Sequence, residues 1–471
     1  MHNIISKLLL CSIPIFCFIA FSSMSLYWAK APYDAWRIYE IIILLIINLL
    51  SIGIILKNNI QILDHKHNKI ITYLIIILIS FIIYSAWHAE YSSRAFADAS
   101  LYILLFSGCL LYTKLIKHNK EFSENIAASV AILPILTLIF LPIAIWDRLN
   151  GGIGVWTQSF TNIRMLDDAL LPCLFLIWLR PGFLKKNVYH TQIKSWLLTL
   201  LVFSISTIYL LSFLFHGARA CILGITIGII FSLFYIDKSK LHLLKLPSLS
   251  ILTAIFLYWL YHLQLPKYIG SALTRTSTSG RAELWLKAWQ VWLEHPFFGV
   301  GGNHFFLQEP YSLLMHPHNL LFKFLSEWGI ATFLFLILFF FITKKIKQNI
   351  QIIPFFLLSG SIAILINSLL SGSMLYPVSQ ITNMFLIAYT LQFIAIPTTS
   401  VHKQHNLHSY IWIAIIFFAS FTMLYIHFQD MTCINCISID FEGAPGFWDS
   451  GRPLHLEPYV IENLGKPTDK Y

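Results

Sequence analysis

Two histidines and an asparagine stand at the entrance to a long apolar run, in the stretch LMHPHNLLFKFLSEWG. Histidine is the commonest general base because its pKa lies near neutral pH, so His318 could take a proton from a hydroxyl group. His316 and Asn319 would support it. Pro317 restricts His316 to extended geometry, so the pair lacks the helical spacing of a zinc site and we predict no metal. The alternative role is a capping or interfacial histidine.

Arginine supplies the second chemical signal. Of the nine arginines, only Arg180 falls on the side of the lysine-rich loops. The guanidinium group is a planar fork that grips phosphate with two hydrogen bonds, so an arginine-rich face predicts an anionic ligand. The alternative is that these side chains reach lipid head groups from the ends of helices. The arginines on the opposite side are Arg37, Arg94, Arg148, Arg164, Arg219, Arg275, Arg281 and Arg452.

Residues 276–305 are predicted to form one helix, started by Ser279 or Gly280 and ended near Pro296. Arg281 falls in its first turn, where free N–H groups and the helix dipole favour anions. An arginine there indicates a negative partner, either a phosphate group or Glu283. The helix carries tryptophans with i, i+4, i+7 spacing, which indicates one face, either at a membrane interface or packed on neighbouring helices. These are Trp285, Trp289 and Trp292.

The composition determines which elements hold these side chains. The chain has 471 residues, 57% of them hydrophobic and 11% charged, with a mean hydropathy of +0.70. Soluble domains carry about 25% charged residues. Long apolar runs predict an all-α polytopic membrane protein with about 12–13 transmembrane helices. The thirteen predicted spans are 8–28, 38–56, 70–87, 97–113, 125–146, 165–179, 196–215, 218–235, 249–265, 325–343, 351–372, 380–397 and 410–427.

Lysine-rich loops alternate along the chain, and the positive-inside rule assigns them to the cytoplasm. The basic balance is therefore a topology signal and predicts no nucleic-acid partner. Four segments follow: N-terminal transmembrane helices, a large periplasmic loop, C-terminal transmembrane helices and a periplasmic tail. Their bounds are 1–265, 266–324, 325–427 and 428–471. The tail contains Cys433 and Cys436, which could form a local disulfide.

The segments SGRAELWLKAW, EHPFFGVGGNHF and PHNLLFKFLSEWG, in this order, resemble the signature region of the O-antigen ligase superfamily. That superfamily includes O-antigen ligases, O-antigen polymerases and protein O-oligosaccharyltransferases. The resemblance is strongest over 275–345, with weaker similarity at FTNIR and GAR. The sequence departs from the pattern of this superfamily in its thirteenth span and the tail that follows, because the comparable ligases have about a dozen spans.

The resemblance implies a GT-C-like glycosyltransferase of the bacterial inner membrane, without metal or cofactor, whose active site faces the periplasm. The donor would be a glycan on undecaprenyl diphosphate, and the acceptor lipid A–core or another hydroxyl-bearing molecule. By resemblance His318 is the general base and Arg281 binds the diphosphate. The further residues this implies are Arg164, Arg219 and Arg275 for the diphosphate, and Asn319, His316 and Glu327 as supporting groups.

Two other classes of function fit part of the sequence. A transporter or flippase for lipids or polysaccharides would also have many spans and an anion-binding face. Transporters carry charges near the bilayer midplane, however, whereas the span centres here are nearly free of charge and polar residues gather at one edge. A structural scaffold would leave the histidine and arginine residues unexplained. The sequence does not distinguish ligase, polymerase and protein glycosylation, although a ligase-like function is our first interpretation.

Overall fold

The computed structural model describes residues 2–22, 32–58, 69–152, 160, 162–184, 192–265, 280–308, 316–348, 350–394 and 407–432. Within these ranges the chain is built from α-helices and short 3-10 turns, and they contain no strand. In chain order the helices are α1 (His2–Phe21), α2 (Pro32–Asn58), α3 (Lys69–His88), α4 (Ser92–His118), α5 (Lys120–Ile132), α6 (Ile135–Leu138), α7 (Leu141–Leu149), α8 (Ile163–Leu179), α9 (Gln192–His216), α10 (Arg219–Leu233), α11 (Lys245–Gln264), α12 (Arg281–Glu294), α13 (Leu320–Trp328), α14 (Ala331–Gln348), α15 (Phe355–Ser368), α16 (Pro377–Leu391) and α17 (Leu407–Thr432).

The fold is that of an all-α polytopic membrane protein. Among the described residues, 6 helical segments are long and apolar enough to cross a membrane: Ile4–Phe21, Ser92–His118, Lys120–Leu149, Trp196–His216, Ser239–Gln264 and Tyr410–Phe428. Shorter apolar helices accompany them, at Tyr73–His88, Arg219–Leu233, Ala331–Phe341 and Phe355–Ser368. Each of the predicted spans overlaps at least one helix. In a membrane, a long apolar segment can pair its backbone N–H and C=O groups with each other only by forming a helix.

Two of the predicted spans are not single helices. The span at 125–146 is divided into α5, α6 and α7, since Pro134 and Pro142 cannot donate hydrogen bonds within a helix. The span predicted over 325–343 is also divided, because α13 ends at Trp328 and α14 begins at Ala331. Gly329 has a φ of 54°, and an added Cβ would lie 2.7 Å from the Phe297 carbonyl, so only glycine fits this approach.

The sixth predicted span, the shortest, is the most enclosed helix of the bundle. In α8 every residue from Met165 to Trp178 is buried. The helix packs against α5, α9, α15 and α16, so it is surrounded by protein. Its length is therefore set by its neighbours as well as by the bilayer, which explains why its apolar run is short.

The predicted helix in the large loop is α12, shorter than the 276–305 segment but with the predicted ends. Gly280 precedes it with a φ of 73°, and Arg281 is its first residue. It stops at His295, next to Pro296. The run from 299 to 303 is a tight turn, in which Gly299, Gly301 and Asn303 have positive φ. Residues 266–279 and 309–315 of this loop, and the tail from 433, lie outside the described residues, as do Arg275 and the two cysteines of the tail.

Candidate functional site

His318 is held in an unusual conformation by its neighbour His316. The backbone N–H of His318 donates to Nδ1 of His316 at 3.1 Å, and the two rings meet edge to face with centroids 4.2 Å apart. His318 has a φ of 52°, in the left-handed region that costs a non-glycine residue about 1–3 kcal/mol. In the described part of the chain neither ring nitrogen of His318 takes part in a hydrogen bond, so the imidazole remains available for chemistry.

Asn319 connects this histidine pair to the rest of the bundle. Its Oδ1 accepts hydrogen bonds from the N–H groups of Leu321 and Phe322, at 2.9 and 3.1 Å, and so caps the start of α13. Its Nδ2 donates to the Leu369 carbonyl at 2.7 Å. The Pro317 carbonyl accepts a further bond from Nε1 of Trp285 in α12, at 2.9 Å. The histidine pair is therefore fixed between α12, α13 and the segment that follows α15.

That segment, residues 369–376, is a non-helical connection between α15 and α16, and we call it the 369–376 connection. Non-helical backbone in a membrane protein needs partners for its carbonyl groups. Side chains from α2, α4 and α16, together with Asn319 at the start of α13, supply them. The bonds run from Asn319 to Leu369, from Asn383 to Ser373, from Gln380 and Tyr102 to Met374, and from Arg37 to Leu375.

His316 packs directly on this connection and is only 1% exposed. Its Nε2 lies 3.4 Å from the hydroxyl of Tyr376. Because Nδ1 accepts from the backbone of His318, Nε2 carries the proton of the neutral ring and donates to Tyr376. Gly372 makes this contact possible, since an added Cβ would lie 2.6 Å from the Tyr376 hydroxyl and 2.9 Å from Cε1 of His316.

Three of the four arginines predicted to bind an anion approach one another, and the fourth, Arg275, lies outside the described residues. Arg164 lies in the first turn of α8, and its side chain donates to the Gly217 carbonyl at 2.7 Å. That bond ties the start of α8 to the turn between α9 and α10, where Arg219 is the first residue of α10. Burial lowers the pKa of Arg281, and the positive charges of Arg164 and Arg219 lower it further.

His318 belongs to the same electrostatic site. Its pKa is lowered to about 4, first by burial and then by the positive charges of Arg281 and Arg164. The imidazole is therefore neutral at neutral pH and able to accept a proton. Burial also lowers the pKa of His316, with the charges of His318, Lys323 and Arg281 acting in the same direction. The structure thus brings together an unprotonated histidine and an arginine cluster that come from distant parts of the chain.

Asp168 is a site residue that the sequence analysis missed. Its carboxylate is buried, accepting from Nδ2 of Asn367 and from Oγ of Ser371, each at 2.7 Å. Its charge also opposes the lowering of the Arg281 pKa. Asp168 therefore links the arginine cluster to the 369–376 connection. The available signal was the pair of aspartates inside an apolar run, because a charge there is costly and indicates a specific role.

The neighbouring Asp167 also has a specific partner. Its Oδ1 lies 2.6 Å from Nδ1 of His216, and both side chains are buried. His216 is the last residue of α9 and directly precedes Gly217, whose carbonyl holds Arg164. The pair therefore fixes the turn on which two of the arginines depend.

Glu327, predicted as a supporting residue, lies in a buried ionic network of α13 and α4. It pairs with Lys323, whose Nζ also lies 3.2 Å from Oδ2 of Asp98. Its other carboxylate oxygen accepts from the backbone N–H of Phe305 at 3.4 Å. Among the described residues it makes no hydrogen bond to the histidine pair. These contacts indicate that Glu327 holds α13 against α4. Any effect of Glu327 on the histidine pair is therefore transmitted through α13.

Two further basic side chains, Arg37 and His304, have structural partners. Arg37 is buried, and its guanidinium group donates hydrogen bonds to Glu40, Tyr33, Gln380 and the Leu375 carbonyl. His304 uses both ring nitrogens: Nδ1 donates to the Gly302 carbonyl at 2.8 Å and Nε2 accepts from the N–H of Tyr91 at 3.0 Å. Arg37 of the arginine-rich face is thus held by protein groups.

Comparison with known proteins adds one finding. Residues 200–337 match the family model described as O-antigen ligase. The matched region contains Arg219, Arg281, His316, His318 and Asn319, whereas Arg164 and Asp168 precede it. No curated protein matches the chain.

Proposed function

We propose that the chain is a membrane glycosyltransferase of the O-antigen ligase superfamily, and the match of residues 200–337 to the family model described as O-antigen ligase supports this. It would move a saccharide from undecaprenyl diphosphate to an acceptor hydroxyl, with lipid A–core as the first candidate acceptor. The proposed location is a bacterial inner membrane with the site facing the periplasm. The segments 1–265, 266–324, 325–427 and 428–471 keep their predicted roles in this proposal, as does the GT-C-like class.

One observation supports this chemistry above the others: the neutral His318 ring lies within electrostatic reach of Arg281 and Arg164. A glycosyl diphosphate donor needs positive donors where negative charge develops on the leaving group. It also needs a base for the attacking hydroxyl, which contributes on the order of a hundredfold in rate. The site offers both, and Arg219 adds a third positive charge close to Arg281.

The proposed reaction balances without a metal or a redox partner. The acceptor oxygen forms a bond to the anomeric carbon while the bond from that carbon to the phosphate oxygen breaks. His318 takes the hydroxyl proton, and the electron pair of the broken bond leaves with undecaprenyl diphosphate. Arg281, Arg164 and Arg219 hold the diphosphate, with Arg275 as a further candidate. Attack opposite the leaving group inverts the anomeric carbon.

Donor binding would also activate the base. In the structure the arginine charges lower the pKa of His318. A bound diphosphate neutralises part of that positive charge, so the pKa of His318 rises and the ring becomes a stronger base. Proton abstraction is then strongest when the donor is in place, which disfavours proton uptake by the empty site.

The decisive experiment is transfer by the purified protein in detergent, using a lipid-linked saccharide and a candidate acceptor. A transferase works without a sealed compartment, whereas a transporter or flippase shows no turnover there, so absence of transfer with every acceptor class would contradict the proposal. His318→Ala should abolish transfer. His295→Ala is the matched control, because His295 is an exposed histidine of the same loop and should leave transfer unchanged.

The acceptor class can be read from a deletion strain. Bare lipid A–core indicates a ligase, a single capped repeat indicates a polymerase, and unmodified glycoproteins indicate a protein O-oligosaccharyltransferase.

Arg281→Lys tests the diphosphate site in the same assays. A lysine keeps the charge but loses the two-point grip, so we expect a severe loss of transfer. Wild-type rates in this variant would reduce Arg281 to a structural residue.

A further inference from the structure

Helix α12 has two apolar faces on opposite sides. One face is buried against the protein and includes Leu284, Ala288 and Val291. The other face is exposed and consists of Leu286, Trp289 and Leu293, which are 62%, 43% and 57% exposed. Their spacing of three and four residues aligns them in one stripe along the helix. We call Leu286, Trp289 and Leu293 the outer stripe.

Polar residues accompany the outer stripe on one side only. Glu283, Gln290 and Glu294 are exposed and recur at i, i+7 and i+11, so they form a second row beside it. A helix surrounded by water would gain nothing from three large apolar side chains next to a separate polar row. A helix lying where water meets hydrocarbon satisfies both rows at once.

The three tryptophans of α12 do not share one environment, in contrast to the prediction from their spacing. Trp285 bonds to the Pro317 carbonyl and stacks on Phe322 with centroids 5.8 Å apart, so it packs inward. Trp292 lies 6.1 Å from the ring of Phe333 in α14. Only Trp289 belongs to the outer stripe. Of the two alternatives left open by the sequence, packing against neighbouring elements applies to Trp285 and Trp292, and the exposed apolar surface of α12 is made mainly by leucines.

The outer stripe continues into the apolar surface of α14. Beyond α12 the exposed Phe297 follows, and its carbonyl accepts from the N–H of Ile330 at 3.0 Å. Ile330 and Phe333 are exposed in turn, and Ala331–Phe341 is one of the apolar helices of the bundle. The exposed surface of such a helix in a polytopic membrane protein faces lipid. The exposed apolar surface is therefore continuous from α14 onto α12.

We propose that α12 is an interfacial helix, with the outer stripe inserted among the acyl chains of the bilayer lipids and the row of Glu283, Gln290 and Glu294 turned to water. The occupant of the outer stripe is the bilayer itself. Arg281, the first residue of the helix, then lies at the depth of the lipid head groups. This position of α12 follows from side-chain exposure and helix geometry and does not require the proposed transfer reaction.

Fluorescence quenching by lipids brominated near the top of their acyl chains tests this in nanodiscs. The protein has 14 tryptophans, so the signal of one is obtained by subtracting the spectrum of a variant from that of the wild-type protein. We expect the Trp289 signal, from Trp289→Phe, to be quenched by roughly half or more. The matched control is Trp285→Phe, whose inward-packed indole should lose little intensity. Equal quenching of both signals, or none at Trp289, would overturn the proposal.

A pair of adjacent cysteine variants gives an independent measurement. Leu293→Cys and Glu294→Cys differ by one residue and carry the same native cysteines as background. In nanodiscs a membrane-impermeant maleimide should label Glu294→Cys at least several times faster than Leu293→Cys. Similar fast labelling at both positions means that the outer stripe faces water. Fast labelling of Leu293→Cys after removal of the tail from residue 433 means that the tail covers the stripe. Either result rejects lipid as the occupant.

Discussion

The backbone of His318 is held by the ring of His316: the His318 N–H donates to Nδ1 of His316 at 3.1 Å, and the His318 φ is 52°. A histidine does not adopt this conformation without support, so His316 acts as a positioning residue for the proposed base. Nε2 of His316, 3.4 Å from the Tyr376 hydroxyl, extends the support to the 369–376 connection. We therefore propose unequal roles for the two histidines, a structural role for His316 and a chemical role for His318.

Removing the His316 acceptor should displace His318. We expect His316→Ala to lower kcat for glycan transfer by about a hundredfold, because a misplacement of about 1 Å at a reacting group has that effect. His316→Asn is the informative comparison, since an asparagine oxygen can accept from the N–H two residues further on. It should recover part of the lost kcat. Equal losses in both variants, at equal amounts of membrane-inserted protein, would mean that the bond does not position the base.

The pH dependence of transfer should report the arginine charges. The His318 pKa is lowered to about 4, so the imidazole is neutral and competent above about pH 4 and activity falls as the pH drops through that value. Arg281→Gln removes one of the charges responsible. The pKa then rises towards 6.5, and the acid limb of kcat/KM moves to higher pH. Arg219→Gln is the control, because Arg219 is not among the charges that lower this pKa.

An acid limb that stays in place in Arg281→Gln would contradict the assignment of His318 as the base. The wild-type protein offers a further check. The pH dependence of kcat reports the enzyme–substrate complex, and that of kcat/KM reports the free enzyme. Because bound diphosphate neutralises the arginines in the complex, the acid limb of kcat should lie at higher pH than the acid limb of kcat/KM. Coincident limbs would show that the diphosphate does not bind near His318.

Gly372→Ala should disturb the support of the histidine pair by sterics alone. The added methyl group would lie 2.6 Å from the Tyr376 hydroxyl and 2.9 Å from Cε1 of His316, so one of these groups must move. We expect at least a tenfold loss of kcat, by the reasoning applied to His316. Gly108→Ala is the matched control, because its methyl group meets ordinary contacts of 3.4 Å or more in another part of the bundle. Unchanged kcat in Gly372→Ala would show that the contact is not needed.

Asp168→Asn should separate binding from turnover. The change keeps the shape of the side chain but removes a negative charge close to Arg281, so an anion should bind more tightly. We expect inorganic pyrophosphate to inhibit severalfold more strongly. The kcat should fall, since the bonds from Asn367 and Ser371 are rearranged and the 369–376 connection shifts. Ser371→Ala, which keeps the charge, should lower kcat without strengthening inhibition. The same inhibition in both variants would contradict the electrostatic role of Asp168.

The sequence by itself determined the class of the protein and the local geometry of its motifs. Apolar runs predicted where helices form, because hydrocarbon leaves a backbone no alternative to internal hydrogen bonds. The order of Gly280, Arg281 and Pro296 predicted the ends of α12, and Asn319 stands at the start of the apolar run, where it caps α13. Each of these features depends on residues that are close together in the chain, so the order of the residues is enough to predict it.

Tertiary structure alone decided which distant residues meet. Arg164, Arg219 and Arg281 lie in the first turns of three different helices, and only the packing of α8, α10 and α12 brings their charges together. The same packing occupies Arg37 with protein partners and makes Asp168 part of the site. The periodicity of a segment reports which faces of one helix are apolar, but not which helix lies beside it. The composition of the site was therefore fixed by contacts between helices, which the sequence of a single chain does not display.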